Sequence, residues 1–307
     1  MRKMLHVDAF DYKICTCGSI DHCLCRFRMD YVRKLVRNPN FARTNGDKIA
    51  TSVFIIGGLF TFWYETCHVM PTYGLSTTTQ SFNFLLAAWC YVNAMTNWYK
   101  LISTRVYPFY VELEDKKEPN WGHCQRCFSF SPTRAHHCKV CNVCVLKRDH
   151  HCWFAGTCIG YSNHRYYIVM LIYIWFAAFY CNLFNLLFLH DALGGFGLGS
   201  VFGVIFPHGA AVIGLLTFYQ FCISIVTFMG LLCLVMFSWL LQIQFSQIYS
   251  GQTKHEKKHN IVDFDLGWGA NIQEVLGHLR WLTLASAFLV SRLPGDGVRF
   301  SRKTKDR

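Results

Sequence analysis

Charged residues are missing from long stretches of this chain. No Lys, Arg, Asp or Glu occurs from Thr66 to Tyr99, from Tyr166 to His190, or from Ala192 to Gln252. A helix that crosses a bilayer needs about 20 mainly apolar residues, so each stretch has room for at least one span. A shorter first span runs from Ile49 to Tyr64, the 16 residues between Lys48 and Glu65, which places Glu65 at the interface. Phe82 to Leu101, Tyr166 to Leu189 and Ala210 to Leu241 supply the other three. The predicted fold class is an all-α polytopic membrane protein with four transmembrane helices and a cysteine-rich domain between the second and third.

The charges that remain are sorted by segment. All 30 Lys and Arg residues fall within 1–48, 100–165 and 254–307. Under the positive-inside tendency, both termini and the central segment are cytosolic, and the uncharged connections at 66–81 and 190–209 are lumenal. A fifth span inside 200–241 would put the basic tail outside. Pro207, His208 and the glycines at 194, 195, 197 and 199 read instead as a lumenal loop feeding one long helix. The resulting division is 1–48 N-terminal segment, 49–101 first two spans, 102–165 cysteine-rich domain, 166–245 last two spans and 246–307 cytosolic tail.

Composition changes this picture little. The net charge of +12 is explained by membrane-flanking cations and anionic lipid on the cytosolic leaflet, so membrane lipids are the expected partners and nucleic acid is not. The first 47 residues are too polar for a signal peptide, and neither an internal repeat nor a low-complexity tract stands out. RFRMDYVRKLVR at 26–37 has apolar residues at helical spacing among cations, the pattern of a helix lying on a membrane surface or packed on the protein itself. Val275, Leu276, Leu279, Leu282 and the run 284–290 make a similar case.

Cysteine usage divides by region. Cys67, Cys90, Cys181, Cys222 and Cys233 lie in or beside apolar helices and read as small buried residues. Cys15, Cys17, Cys23 and Cys25, with His22, lack the Cys-x-x-Cys spacing of common zinc knuckles; metal binding, S-acylation and neither role all stay open. The central segment is different. It carries Cys124-Gln-Arg-Cys127, Arg134-Ala-His136-His137-Cys138, Cys141-Asn-Val-Cys144, Asp149-His150-His151-Cys152 and Cys158. Zinc takes four N/S ligands, so eight residues close two tetrahedral sites and one thiol remains. A purely structural zinc module accounts for most of these residues. It leaves unexplained an extra cysteine beside Asp149 and His150, which provide a proton acceptor and a carboxylate to orient it.

With those residues, the chain resembles the DHHC family of protein S-acyltransferases, or palmitoyltransferases. The resemblance covers the four-span layout, the cysteine-rich loop from His123 to Tyr167, and a C-terminal patch. It implies two structural zinc ions, one held by Cys124, Cys127, His137 and Cys144, the other by Cys138, Cys141, His151 and Cys158. It further implies Cys152 as the acyl-accepting nucleophile, His150 as general base and Asp149 as its orienting partner. Pro132, Arg134, Gly160 and Asn163 match framework positions. Phe264-Asp265-Leu266-Gly267-Trp268-Gly269-Ala270-Asn271, then Gly277, is similar to the family's tail motif, with Asn271 as the helix-capping and docking position. Trp153-Phe154-Ala155 replaces the usual Pro-Trp after the signature cysteine, Val106-Tyr107-Pro108-Phe109 stands where Asp-Pro-Gly is usual, and Thr253-Lys254-His255-Glu256 keeps only part of a Thr-Thr-x-Glu motif. The chain is therefore a divergent member.

The implied reaction moves a fatty acyl group, palmitoyl foremost, from a long-chain acyl-CoA through a Cys152 thioester to cysteines of cytosolic or membrane substrate proteins, at the endoplasmic reticulum or Golgi. Lys147 and Arg148 are candidate contacts for the CoA phosphates. The alternatives are a catalytically weak or inactive membrane-anchored zinc scaffold and a RING-type ubiquitin ligase. The ligand spacings from Cys138 to Cys158 do not fit a RING.

Overall fold

Thr44 opens the first helix through a reciprocal cap. Its hydroxyl accepts from the Asp47 amide at 3.0 Å, and the Asp47 carboxylate accepts from the Thr44 amide at 3.0 Å. This helix, α1 (Asn45–Tyr64), belongs to a computed structural model that describes residues 44–107, 118–195 and 197–303. The Cys15–Cys25 group, the 26–37 stretch, and Pro108 and Phe109 lie outside the described residues. Past Tyr64, α1 widens into a π-helical turn (Glu65–Val69) and a 3-10 turn (Met70–Tyr73). Gly74 ends it in the left-handed region at φ 56°. The expectation that the span stops at an interfacial Glu65 is corrected: the apolar segment is 29 residues long, and Glu65 is only 2% exposed, its carboxylate accepting a hydrogen bond from Asn185.

Helix α2 (Thr77–Ser103) starts at Ser76, whose hydroxyl accepts from the Thr79 amide. Beyond the cysteine-rich domain come α3 (His164–Leu193), α4 (Leu198–Ile205), α5 (Pro207–Val212) and α6 (Phe218–Tyr249). Among the described residues, three segments are long and apolar enough to cross a membrane: Asn45–Tyr73, α3 and α6. The 27 residues of α2 span about 40 Å, but its polar start and its buried Asn83, Asn93 and Asn97 set it apart in composition.

The loop expected at 190–209 is corrected too, since most of it and the residues just beyond form α4 and α5. The last long helix starts at Phe218, where Thr217 and Gln220 form a capping box, and not at Ala210. Of the five cysteines read as buried, only Cys90 is; Cys181 and Cys233 are half-buried, and Cys67 and Cys222 are exposed.

Helix α3 lies between α2 and α6. Its contacts with α6 run antiparallel in order: His164 with Gln244, Trp175 with Ser238, Asn182 with Gly230, and Ala192 with Gln220. Asn163, just before α3, accepts from the Gly160 amide and donates to the carbonyls of Leu101 and Cys158, fastening the end of α2 to the cysteine-rich domain. Gly160 has no room for a side chain, because a Cβ would lie 2.7 Å from both the Leu146 carbonyl oxygen and Val145 Cγ1.

The domain between α2 and α3 is three two-stranded antiparallel hairpins: β1 (Gly122–Cys124) with β2 (Ser129–Ser131), β3 (His136–Cys138) with β4 (Val143–Val145), and β5 (His150–Cys152) with β6 (Thr157–Ile159). They share one register: Gly122 pairs with Ser131, His136 with Val145 and His150 with Ile159. The hairpins thus recur every 14 residues, an internal repeat the sequence reading missed although His123-Cys124, His137-Cys138 and His151-Cys152 recur at that spacing. Cys124, Cys138 and Cys152 are equivalent positions. Cys127 and Cys141 are equivalent to Ala155, so the third hairpin lacks the second thiol of the Cys-x-x-Cys pair but keeps Cys158, the counterpart of Cys144.

The tail closes over this domain. Helices α7 (Lys254–Lys258) and α8 (Trp268–Leu276) are followed by a 3-10 turn (Arg280–Leu284), and Leu293, Val298 and Phe300 pack on Ala135, Leu146 and Tyr161. Of the predicted C-terminal apolar face, Val275 and Leu276 are buried, whereas Leu282, Phe288 and Val290 are exposed. Tyr173 of α3 donates to the Leu284 carbonyl at 2.6 Å, holding that face beside the long helices.

Candidate active site and metal centres

Strand periodicity distributes the ligands. Successive side chains on a strand point to opposite faces, so the neighbours His137 and Cys138 join different clusters. Cys124, Cys127, His137 and Cys144 form one, and Cys138, Cys141, His151 and Cys158 the other, with ligand atoms all within 4.8 Å of one another. Each combines a Cys-x-x-Cys turn with a cross-strand His–Cys pair of the next hairpin: His137 opposite Cys144, and His151 opposite Cys158.

The residues fit a tetrahedral metal ion. Bond lengths of about 2.0–2.3 Å to nitrogen and sulfur require ligand-to-ligand edges of roughly 3.3–3.8 Å. In the first cluster, His137 Nδ1 lies 3.6 and 3.3 Å from the thiols of Cys124 and Cys127, and Cys144 Sγ lies 3.7 Å from Cys127 Sγ. In the second, His151 Nδ1 lies 3.8, 3.3 and 3.7 Å from Cys138, Cys141 and Cys158. His151 Nε2 donates to Asp47 Oδ1 at 3.0 Å, which leaves Nδ1 unprotonated toward the thiols. Asp47 therefore caps α1 with one carboxylate oxygen and orients a cluster histidine with the other. Sequence reading missed it, because the two residues are 104 positions apart.

The same alternation puts His150 and Cys152 together on the face opposite His151. His150 Nδ1 donates to Asp149 Oδ2 at 2.8 Å, and the Cys152 thiol lies on the same face of β5 two residues on. Burial opposes charge on His150, but the neighbouring Asp149 and Cys152 outweigh it and push its pKa up to about 9. Burial likewise opposes ionisation of Asp149, yet His150 and the further donors hold this carboxyl well below the usual range. Cys152 is 4% exposed and packs in an apolar cluster with Leu101 of α2, Tyr167, Ile168 and Leu171 of α3, and Leu241 of α6. The adjoining turn is tied to the long helices, as Thr51 and Trp98 both donate to the Phe154 carbonyl.

Asp149 is held by four donors. Oδ2 accepts from His150 and from Gln244 Nε2 at 3.0 Å, and Oδ1 accepts from Gln247 Nε2 at 3.2 Å and the Lys254 amide at 2.8 Å. His164 Nε2 donates to Gln244 Oε1 at 2.7 Å and fixes that amide. Sequence reading missed His164, Gln244 and Gln247. A signal was present: two glutamines three residues apart share one face of a helix in an uncharged apolar stretch.

Of the two cations read as CoA contacts, Lys147 is buried and donates to Glu274 Oε2 at 2.6 Å, so its ammonium is taken by the tail. Arg148 is half-buried. Arg134 is buried against the tail, bonded to Glu256, Glu274 and the Gly251 carbonyl, with its guanidinium 4.4 Å from the Phe264 ring centroid. Asn271 sits inside α8, whose cap is Gly267, so its role is docking: it donates to the Tyr249 carbonyl at 3.0 Å and to Asp265 at 2.8 Å.

Residues 117–261 match the family model described as DHHC palmitoyltransferase. The chain is 32% identical over 181 residues to a Danio rerio protein named "Probable palmitoyltransferase ZDHHC24". That match covers 59% of this chain and 61% of the relative, so the chain spans about three fifths of the relative's length. The hairpin domain and its Asp149–Cys152 signature lie at the centre of this matched region, so the chain is similar there to the DHHC palmitoyltransferase family.

Proposed function

We propose that this chain is a protein-cysteine S-palmitoyltransferase working through a Cys152 thioester. The observation that carries the reading is the setting of Cys152, which shares one face of β5 with His150 and packs among apolar ends of α2, α3 and α6. His150 takes the Sγ proton, and the thiolate attacks the thioester carbonyl of a long-chain acyl-CoA. The carbon–sulfur bond to CoA breaks, and the leaving thiolate receives the proton from His150. A substrate cysteine then repeats the sequence, its thiol giving a proton to His150 and its sulfur taking the acyl group as Cys152 is released. The exchange of one thioester for another is close to isoenergetic, so the protein supplies nucleophile activation and proximity.

The acyl tail gains about 0.8 kcal/mol per buried CH₂, which favours a site at the membrane edge. We read α2 as the fourth span, giving a topology with both termini and the hairpin domain cytosolic and the 66–81 and 190–209 connections lumenal, in an endoplasmic reticulum or Golgi membrane. The two Cys₃His clusters hold zinc, which there crosslinks three short hairpins that bury little apolar surface of their own.

The test is incubation of the purified full chain in detergent with labelled palmitoyl-CoA. A hydroxylamine-sensitive label on the wild type that is lost in Cys152→Ser is expected. An unlabelled wild type supports the inactive zinc scaffold, and label persisting in Cys152→Ser removes the nucleophile assignment.

A further inference from the structure

Where α1 meets α3 and α6, buried polar groups stand among the apolar ones. The Glu65 side chain points inward from the π-helical turn, 2% exposed. Its Oε1 accepts from Asn185 Nδ2 at 2.5 Å, and Oε2 has no partner. Asn185 Oδ1, Asn182 Oδ1, Thr227 Oγ1, Ser224 Oγ and Tyr64 Oη are also buried without a hydrogen-bond partner. Buried polar atoms are ordinarily satisfied, so such a group of orphans asks for an occupant.

The register of the helices brings these oxygens together. Asn182 Nδ2 donates to the Gly230 carbonyl at 3.1 Å. Because α3 and α6 are antiparallel, Asn185 and Thr227 each stand three residues, about 4.5 Å, further along and on one level. Ile223 packs with Tyr64, Val69, Phe188 and Leu189. Thr227, four residues on, shares that helix face and looks at the same turn of α1. Ser224 and Thr227 are both fully buried.

Charge narrows the occupant. Among the described residues, no Lys, Arg or His forms an ion pair with Glu65. A carboxylate buried between membrane helices without a counter-charge is costly and marks a functional position. The free atoms are all oxygens and carry at most one negative charge. Oxygen donors suit hard cations, and a single charge is neutralised by a monovalent one. We propose that Glu65, Asn185 and Thr227, flanked by Ser224 and Tyr64, form a binding site for a small monovalent cation of the sodium type, separate from both Cys₃His clusters. The ion would join α1 to α3 and α6, and a proton on Glu65 is the competing way to neutralise the site.

The experiment measures thermal unfolding of the purified full chain in detergent, in sodium chloride and in N-methylglucamine chloride at equal ionic strength. A saturable upward shift with sodium is expected, about 3 °C at tenfold saturation. It should vanish in Glu65→Gln, and Thr227→Val should need several-fold more sodium for the same shift. If Glu65→Gln does not fold, Thr227→Val carries the test. Equal midpoints in the two salts for the wild type overturn the proposal in favour of a protonated Glu65. A sodium shift retained undiminished in either variant also overturns it, by placing the ion elsewhere.

Discussion

Arg134 and Glu256 meet fork to fork: Nε reaches Oε1 and Nη2 reaches Oε2, both at 2.7 Å, across 122 residues of sequence. The pair fastens α7 to the hairpin domain, and Glu256 also closes the α7 cap by accepting from the Thr253 amide. Removing one partner leaves a buried charge uncompensated, at a cost of about 3–5 kcal/mol. Glu256→Gln should lower the unfolding midpoint markedly and release the tail to proteolysis. Arg134→Lys should do nearly as much, since an ammonium cannot form both bonds. An unchanged midpoint in both would mean the tail is held by other contacts.

The pH dependence follows from His150. With its pKa raised to about 9, the imidazole holds at neutral pH the proton it takes from Cys152 and can return it to departing CoA. It loses that proton as pH rises through about 9. Cys152 labelling should therefore fall on the alkaline side near this value. In Asp149→Asn the supporting carboxylate is gone, so the His150 pKa drops and the alkaline limb moves to lower pH. An Asp149→Asn limb that coincides with the wild type would remove His150 from this role.

Gln244 touches Asp149 and not Cys152, so its effect is on orientation. A positioned acid or base contributes about 10²–10⁴-fold. Gln244→Ala should slow labelling about tenfold or more while zinc content stays constant, and should shift the alkaline limb in the same direction as Asp149→Asn. Gln244→Glu puts a second carboxylate beside Asp149 and should not rescue the rate. Loss of rate without any change in the pH profile would point to a packing role alone.

Asp47 supports the second metal cluster through His151. Outer-shell carboxylates of this kind are worth about 10–100-fold in metal affinity. Metal analysis of Asp47→Asn under mild chelation should show one zinc lost ahead of the other, against about two retained by the wild type. Simultaneous loss of both ions would mean that the clusters are not independent.

Much of the site was legible in the sequence, because ligand spacing and the Asp149–Cys152 run are local. Both metal clusters gather the residues expected of them, and the long uncharged stretches became long helices. What sequence reading missed depends on distant packing. Glu65 looked interfacial because its partner Asn185 is 120 residues away. Lys147 looked available to phosphate because Glu274, which takes it, lies in the tail. The polar start of α2 and the short helices α4 and α5 blur the apolar pattern on which span counting rests.

The 14-residue repeat gives Cys152 two structural counterparts, Cys124 and Cys138. In two hairpins, the equivalent thiol has a second cysteine three positions on and belongs to a metal cluster; in the third, that position is Ala155. The third hairpin still lends His151 and Cys158 to a cluster, and the same strand pair that anchors the scaffold carries its one uncommitted thiol on the opposite face.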